Sequence, residues 1–377
     1  MSMKILHVCE YVRGGITTYV NQILNDQVAS GEFSSVDVLM SRFNSDKLLI
    51  RGVHVHYYRY KRNLFNFLSA IIQVNQAIRT IRPDIIHVHS SFAGLFVRAC
   101  FLFKKKRPKI VYCAHGWSFM MEVPPYKKRM YGLLERVLAR KTDRIINISN
   151  QEFIGSKKYK IPASKSLVIP NGIDDRPLNL KDVPIALDHS RINLLFVGRF
   201  DRQKGIDILI HFFKEHPLEN VRLYTIGENV LDSFLMKIPD NIVTLGWIDH
   251  RMIDSYYQKF DAVIIPSRWE GFGLVAVEAM KNRKAVIASN RGDLPELVQH
   301  GINGYLFDLN HLEELRRILT QLNKQTLRAM GEKGFALYKE RYTSEKLNLR
   351  LMKVYKQLMD LNEKPSPPQA AAPYEAK

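Results

Sequence analysis

Short runs rich in valine, isoleucine and leucine alternate along the chain with longer segments in which apolar residues recur every three to four positions. Such runs are typical of buried parallel strands, and the longer periodicity is typical of helices that cover a sheet. In the first half the predicted strands are Ile5–Cys9, Val36–Met40, Val53–Tyr58, Ile85–His89, Ile110–Ala114, Arg144–Ile148 and Leu167–Ile169. In the second half they are Leu194–Gly198, Arg222–Ile226, Ile242–Leu245, Ala262–Ile265, Ala285–Ala288 and Tyr305–Phe307. The pattern predicts a parallel α/β architecture.

The alternation stops once, in the polar, proline-containing segment Asn171–Ser190, and this break predicts two domains. We assign residues 1–170 and 171–342 to two Rossmann-like, doubly wound domains. Open sheets bind ligands at the carboxyl ends of their strands, so we expect the domains to face a central cleft. A helical pattern at 343–361 is expected to pack on the N-terminal domain, and the proline-rich tail, 362–377, is predicted to be disordered.

The composition fits two domains in a reducing compartment. The chain has 377 residues, 46% of them hydrophobic, which is too long for one ordinary core. Cys9, Cys100 and Cys113 show no paired spacing, so neither disulfides nor a cysteine-ligated zinc site is predicted. The sequence shows no signal-peptide pattern and no apolar stretch of about 18 residues, and we expect a cytoplasmic protein.

Positive charge is concentrated in the first half. Residues 1–170 contain 27 Lys and Arg against 10 Asp and Glu, whereas residues 171–377 contain 29 against 27. A basic surface is typical of proteins that bind nucleic acid, an anionic membrane or a phosphorylated ligand. Composition alone does not choose among these three.

Two glycine-containing loops at strand ends are candidates for phosphate binding. Gly14 and Gly15 follow the first strand and lead into a helix, where backbone amides can approach an anion; a simple tight turn is the alternative. Arg199 and Lys204 lie in the glycine-flanked turn after the first strand of the second half. Cations crowded into one turn are typical of a diphosphate site, and a solvated basic turn is the alternative.

The most informative loop contains Glu270 and Glu278. Between them, Gly271 and Gly273 place backbone amides at the start of a predicted helix, a favourable site for an anion. Eight residues of helix span about 12 Å, more than the roughly 5 to 9.5 Å that separates the carboxyls of glycosidases. We therefore interpret the segment as the binding site of a long ligand, with its phosphates on the central amides, ribose hydroxyls at Glu278 and the group beyond the phosphates at Glu270. A capped surface helix is the alternative.

Taken together, these motifs resemble the retaining family-four glycosyltransferases of GT-B fold. The resemblance is carried by Gly14-Gly15, the run Pro170–Asp174, Arg199 with Lys204, and above all Glu270–Glu278, and it covers the chain to about Tyr342. It implies that Arg199 and Lys204 neutralise the donor diphosphate, that Glu270 binds the donor sugar and that Glu278 holds the ribose.

The resemblance also implies His115 near the reacting centre, with a structural histidine at a strand end as the alternative, and the nucleotide base against Trp247 and Ile248. The implied catalytic residues are His115, Glu270, Arg199 and Lys204. The implied donor-binding residues are Gly14, Gly15, Arg199, Lys204, Trp247, Ile248, Glu270, Gly271, Phe272, Gly273, Leu274, Val275 and Glu278. By the frequency of donors in the family, we expect a UDP-sugar, with a GDP-sugar as the alternative.

No metal site and no cofactor are predicted. Asp174-Asp175 is only superficially similar to an Asp-x-Asp motif, and Arg199 and Lys204 offer the charge that a metal supplies elsewhere. His87 and His89 are expected to point to opposite faces of their strand and therefore not to share a metal ion.

The basic first half suggests docking on an anionic membrane. Lys61-Arg62 precedes an apolar-rich helix that reaches Arg82, the helix Phe92–Phe103 ends in Lys104–Arg107, and Lys127–Arg129 forms a third cluster. Cations beside apolar residues suit an anionic lipid surface, although the helices could simply cover the sheet. We therefore expect a peripheral enzyme on the inner face of the cytoplasmic membrane, acting on a lipid-linked acceptor in surface polysaccharide or glycolipid assembly.

Three other functions compete with a metal-independent hexosyltransferase. A catalytically silent GT-B subunit is disfavoured because the full set of implied donor-binding side chains is present: Arg199, Lys204, Glu270 and Glu278. A GT-B sugar-nucleotide epimerase would act without an acceptor. Nucleic-acid binding is disfavoured because the basic half shows no helix-turn-helix, zinc or RNP-like pattern. The oligomeric state is not predicted.

Overall fold

The computed structural model describes residues 2–12, 15–45, 48, 50–174, 180–228 and 238–359. They form two compact units. The first takes in the described residues up to Gly172 and those from Ser344 onward, and the second takes in those from Ile173 to Thr343. Gly14 and the predicted tail, 362–377, lie outside the described residues.

The first unit is built on a parallel sheet of seven strands. Its strands are Met3–Cys9 (β1), Phe33–Ser41 (β2), Val53–Tyr58 (β3), Ile85–His89 (β4), Lys109–Cys113 (β5), Arg144–Asn147 (β6) and Ser166–Val168 (β7). Its helices are Gly15–Ala29 (α1), Leu64–Ile81 (α2), Ser91–Ala99 (α3), Pro125–Leu138 (α4), Asn150–Lys158 (α5) and, from the end of the chain, Ser344–Met359 (α12). The strand order is β3-β2-β1-β4-β5-β6-β7, so the winding reverses between β1 and β4.

The last helix, α12, belongs to the first unit because its apolar face packs against α1. Leu351 and Tyr355 of α12 are fully buried, and Lys356 pairs with Glu32 at 2.6 Å. The chain therefore returns to the first unit after completing the second.

The second unit repeats the architecture with six parallel strands. Its strands are Ile192–Val197 (β8), Val221–Ile226 (β9), Ile242–Thr244 (β10), Ala262–Ile265 (β11), Ala285–Ser289 (β12) and Gly304–Phe307 (β13). Its helices are Ile206–Glu215 (α6), Ile253–Lys259 (α7), Leu274–Lys281 (α8), Leu294–Leu297 (α9), Leu312–Thr320 (α10) and Lys324–Arg341 (α11). The order β10-β9-β8-β11-β12-β13 reverses between β8 and β11.

Each predicted strand overlaps one of these strands, which confirms the α/β class with two Rossmann-like sheets. The central strands were easy to predict because both of their faces are buried: every residue of β4, β11 and β12 is buried. None of the described helices is both long enough and apolar enough to cross a membrane.

Candidate active site

Two loops of the second unit meet because the strands that precede them are neighbours. β8 and β11 pair in parallel at the point where the sheet reverses its winding. Between the two loops there is no room for a side chain at position 205: a Cβ on Gly205 would collide with the carbonyl oxygen of Pro266, and its φ of 72° is left-handed. Glycine at this position therefore lets the basic turn after β8 close against the loop after β11.

This contact brings Lys204 and Glu270 together. The Lys204 Nζ lies 2.6 Å from Glu270 Oε1, and the Ser267 hydroxyl donates to the same oxygen at 2.7 Å. The lysine side chain is 19% exposed and the glutamate side chain 7%. A charge-assisted pair with so little solvent is held in a defined position, and it leaves two ammonium hydrogens and a second carboxylate oxygen for a ligand.

Arg199 is arranged differently from Lys204. Its guanidinium contacts Asp201 at 2.9 Å and Gln203 at 3.0 Å within its own turn, and its side chain is 54% exposed. The sequence prediction assigned both Arg199 and Lys204 to the diphosphate, and the structure gives Lys204 a fixed, mostly buried position and Arg199 an exposed one. A role for Arg199 at a diphosphate stays a prediction.

The helix that follows Glu270 begins with uncapped amides. Gly273 is the N-cap of α8 with φ 87°, and no side chain caps this helix start. The first amides of a helix have no intrahelical acceptor and attract anions, so Leu274 and Val275 offer N–H groups beside Glu270. The Phe272 ring is buried against Tyr342 at 5.8 Å between ring centroids, which leaves its backbone, and not its side chain, for the predicted donor contact.

Glu278 lies one helical turn further along α8. Its Oε2 accepts a hydrogen bond of 2.9 Å from the Tyr257 hydroxyl of α7. Burial raises the pKa of Glu278, and the charge of His250 opposes this effect. A carboxylate with one oxygen used by a tyrosine keeps the other oxygen as an acceptor, which suits vicinal hydroxyls such as those of a ribose.

Trp247 and Ile248 follow β10, the edge strand of the second sheet. The Trp247 side chain is 64% exposed, and Gly246 before it has a left-handed φ of 74°. An exposed aromatic ring beside a turn is able to stack on a base. The base contact stays a prediction.

In the first unit, His115 lies in the turn after β5, with a left-handed φ of 52°. Its Nε2 is 3.1 Å from His89 Nδ1, and its ring meets Tyr19 edge to face at 4.5 Å between centroids. Burial lowers the pKa of His115 to about 4, so the imidazole is neutral at pH 7. Gly15 is the first residue of α1, and the predicted contact of Gly14 falls outside the described residues.

The expectation for His87 and His89 was wrong. Residues two positions apart on a strand share a face, and the two rings lie 4.2 Å apart between centroids. With His7 of β1 they form a buried group whose nitrogen ligand atoms all lie within 4.8 Å of one another, close enough that a metal ion could be held. Both His87 and His89 are fully buried.

Two polar residues near Glu270 were missed from the sequence. Ser267 is fully buried and donates to Glu270, and Gln203 links the two loops through Trp269 O at 3.2 Å and Arg268 N at 2.9 Å. Their roles depend on β8 and β11 being adjacent, and only the position of Ser267 three residues before Glu270 gave a local signal.

Comparison with known proteins supports the glycosyltransferase reading of both units. Residues 181–337 match the family model "Glycosyl transferases group 1", and residues 13–176 match "Glycosyltransferase Family 4". An uncharacterized 41.2 kDa protein in the cps region of Klebsiella pneumoniae is 33% identical over 340 residues, covering 88% of this chain and 92% of that protein.

A second relative and a solved structure extend the comparison. The UDP-Gal:alpha-D-GlcNAc-diphosphoundecaprenol alpha-1,3-galactosyltransferase of Escherichia coli is 24% identical over 279 residues, 69% of this chain and 71% of that protein. The structure of Anabaena HepE in complex with UDP-glucose is similar in fold, with a TM-score of 0.76 at 19% identity, covering 94% of this chain and all of that one.

The two Rossmann-like sheets, together with the two glycosyltransferase family models that match their sequences, define a glycosyltransferase of GT-B type. The chain belongs to glycosyltransferase family four.

Proposed function

We propose that the protein is a retaining hexosyltransferase that moves a sugar from a nucleotide diphosphate to a hydroxyl of a lipid-linked glycan. The observation that carries this proposal is the Lys204–Glu270 pair beside the uncapped start of α8. Positive charge and free amides suit the diphosphate, while a fixed carboxylate suits sugar hydroxyls. A UDP-sugar is the expected donor, because HepE is a structural neighbour bound to UDP-glucose and the Escherichia coli relative uses UDP-Gal.

In the proposed reaction the bond from the anomeric carbon to the β-phosphate oxygen breaks as the acceptor oxygen bonds to that carbon on the same face. The acceptor proton passes to the departing phosphate oxygen, so atoms balance without a protein base. Lys204 and the α8 amides stabilise the charge that develops on the diphosphate. With this charge supplied by the protein, we propose that the reaction needs no metal ion.

The test begins with nucleotide sugars screened by thermal shift and continues with transfer to polyprenyl-diphosphate-linked acceptors. Retention at the anomeric carbon, observed by NMR, is expected, and inversion would overturn the mechanism. Lys204→Ala should lower turnover by about a hundredfold or more. Full activity in this variant would remove the diphosphate role. Release of free sugar or of an epimer without acceptor would favour a GT-B epimerase, and failure to bind any nucleotide would favour a silent subunit.

We also propose that the first unit docks on an anionic membrane, and the structure distinguishes the three predicted cationic clusters. Arg62 is tied to the buried Glu10 by two hydrogen bonds, and Arg107 is tied to Asp143 by two more. The third cluster, at the start of α4, forms no ion pair with any described carboxylate. Its members are Lys127, Lys128 and Arg129.

The helix that carries this cluster exposes an apolar stripe. Five apolar side chains, spaced by four, three, one and three residues, are between 39% and 66% exposed. They are Tyr126, Met130, Leu133, Leu134 and Val137. At 100° per residue they occupy an arc of about 100°. Lys127 and Arg129 lie to either side of this arc, and Lys128 lies on the opposite face of the helix. This is the arrangement of a helix that lies in a lipid interface. By contrast, α3 buries Phe96 and Val97 in the core and only covers the sheet.

Co-sedimentation with vesicles tests the docking. We expect binding to vesicles that contain anionic lipid at low salt, and little binding to neutral vesicles. Leu133→Glu should weaken binding about tenfold or more, since it removes an inserted apolar side chain and adds a repelled charge. Leu349→Glu is the matched control, because Leu349 is an equally exposed leucine on α12 of the same unit. Equal binding by both variants would exclude α4 as the docking element.

A further inference from the structure

A row of hydrogen-bonded side chains crosses the first unit and ends at His115. The Gln27 Oε1 of α1 is 2.8 Å from His7 Nε2, His7 Nδ1 is 3.0 Å from His89 Nε2, and His89 Nδ1 is 3.1 Å from His115 Nε2. Gln27, His7 and His89 are buried. Such a polar row inside a core is costly to bury unless every member is satisfied, and the donor-binding residues of the second unit do not use it.

The row has a direction because each neutral imidazole has one donor and one acceptor nitrogen. The amide oxygen of Gln27 only accepts, so His7 carries its hydrogen on Nε2 and accepts at Nδ1. His89 must then donate from Nε2 and accept at Nδ1, and His115 must donate from Nε2. His115 is thus left with a lone pair on Nδ1, an atom that makes no hydrogen bond to any described residue.

The direction of the row depends on the orientation of the Gln27 amide. In the structure the amide oxygen faces His7, 2.8 Å from Nε2, and the amide nitrogen makes no hydrogen bond to a described residue. An amide nitrogen in the place of that oxygen would donate to His7 and would reverse every hydrogen bond of the row, so the position of the hydrogen on His115 reports the orientation of Gln27.

Burial keeps the row uncharged. It lowers the pKa of His7 and of His115 to about 4 and that of His89 well below the ordinary value. The other titratable groups that face this end of the row are Tyr19 of α1, Cys113 of β5, His87 of β4, and Glu152 of α5, which faces the Gly116 amide next to His115.

A metal ion at His7, His87 and His89 is the competing interpretation of the cluster. Two of the three histidines, however, already use their ring nitrogens in the row, and the group contains no carboxylate to balance a buried dication. The hydrogen-bonded row accounts for the positions of Gln27 and His115, which a metal ion at the three histidines would leave unexplained.

We infer that Gln27, His7 and His89 are positioning residues that hold His115 as its Nε2–H tautomer, so that Nδ1 accepts a hydrogen bond from a substrate hydroxyl. This inference rests on the proposed transferase function. It assigns His115 a preference for groups that donate, such as a sugar hydroxyl, over groups that only accept, such as a phosphate or a carboxylate oxygen.

The direct test is nitrogen NMR on the full chain labelled with 15N in histidine only, since the shifts of the two ring nitrogens report which one carries hydrogen. We expect Nε2–H for His7, His89 and His115 at pH 7, unchanged down to about pH 5. Assignment uses single His→Gln variants, with the exposed His54→Gln as the reference for a histidine outside the row. An Nδ1–H tautomer or a protonated ring at His115 would overturn the inference.

The functional test replaces the anchor of the row. Gln27→Met removes the acceptor but keeps the length of the side chain, and it should mix the tautomers of His115 and lower kcat/KM about tenfold. Gln27→Glu keeps an accepting oxygen and should retain the Nε2–H tautomer and most of the activity. If Gln27→Met, still folded, kept the tautomer and the kcat/KM of the wild type, the row would be structural only. If the wild-type protein showed no transfer activity, the proposed function would be overturned. The tautomer of His115, measured by NMR, would still test the positioning inference separately.

Discussion

Substitutions in the Lys204–Glu270 pair are predicted to affect the stability of the fold and the transfer activity differently. Lys204→Met removes the ammonium and leaves the Glu270 carboxylate, 7% exposed, with the Ser267 hydroxyl as its remaining donor among the side chains that contact it. Breaking a buried pair from one side costs about 3 to 5 kcal/mol, because the other charge stays buried without compensation. Since Lys204 is 19% exposed and some water reaches the pair, we expect about 3 kcal/mol for Lys204→Met.

The complementary change should cost less. Glu270→Leu leaves the lysine, which is long and the more exposed of the two, so it can turn toward solvent, and we expect about 2 kcal/mol. The double variant, Lys204→Met with Glu270→Leu, replaces the pair by apolar groups and should lose no more than about 1 kcal/mol. The coupling energy of the cycle would then be about 4 kcal/mol.

Urea unfolding of the full chain measures these values, with hydrogen exchange of peptides from β8 and β11 to confirm that the second unit is the part affected. Additive losses in the double variant would refute the buried ion pair. The same variants are then assayed for sugar transfer. If the pair serves the donor, the double variant regains stability but not activity; recovery of both would mean that the charges serve the fold alone.

Three further predictions concern single residues. Gly205→Ala should strain the left-handed turn and push it from Pro266, lowering the urea midpoint and weakening donor binding measured by calorimetry. Because the pKa of Glu278 is raised, affinity for UDP should fall as pH drops through that raised pKa, and Glu278→Gln should bind weakly at every pH. Burial raises the pKa of Glu152 from 4.5 to about 7, so the folded protein holds a proton there that the unfolded chain has lost. Its contribution to stability is complete below the unfolded value and is lost as pH rises through about 7; Glu152→Gln should flatten the unfolding midpoint between about pH 5 and 8.

The fold was largely predictable because buried parallel strands are continuous apolar runs. Where a run was interrupted, the predicted strand was too short. β2 begins at Phe33, three residues before the predicted start, because two serines separate Phe33 from the apolar run and none of these first three residues is fully buried. The helix predicted to end at Phe103 stops at Ala99, and the next residues continue with hydrogen bonds three residues apart, as from Leu102 N to Ala99 O. Apolar composition does not distinguish such turns from a helix.

For the candidate site, the sequence indicated individual residues but did not predict which of them contact each other. Lys204 and Glu270 were each expected at a phosphate or a sugar, but their pairing depends on β8 lying next to β11, which no local pattern contains. The histidine row was missed for a different reason. His87 and His89 were assigned to opposite faces by a misapplied periodicity, and His7 comes from another strand, in register with His87.

The distribution of charge now has a physical explanation in each unit. In the first unit, carboxylates are few and several are held internally: Glu10 by Arg62, Glu135 by Arg98 at 2.8 Å, and Asp143 by Arg107. Each of these ion pairs joins one cation to one carboxylate, so the excess of positive charge in the first unit is unchanged. The cations at the start of α4 form no ion pair with a described carboxylate. In the second unit cations and carboxylates nearly balance, and the proposed donor site depends on the position that the fold gives to Lys204. Substituting surface lysines of α4 should therefore change membrane affinity in steps with their number, whereas no other surface lysine of the second unit should replace Lys204.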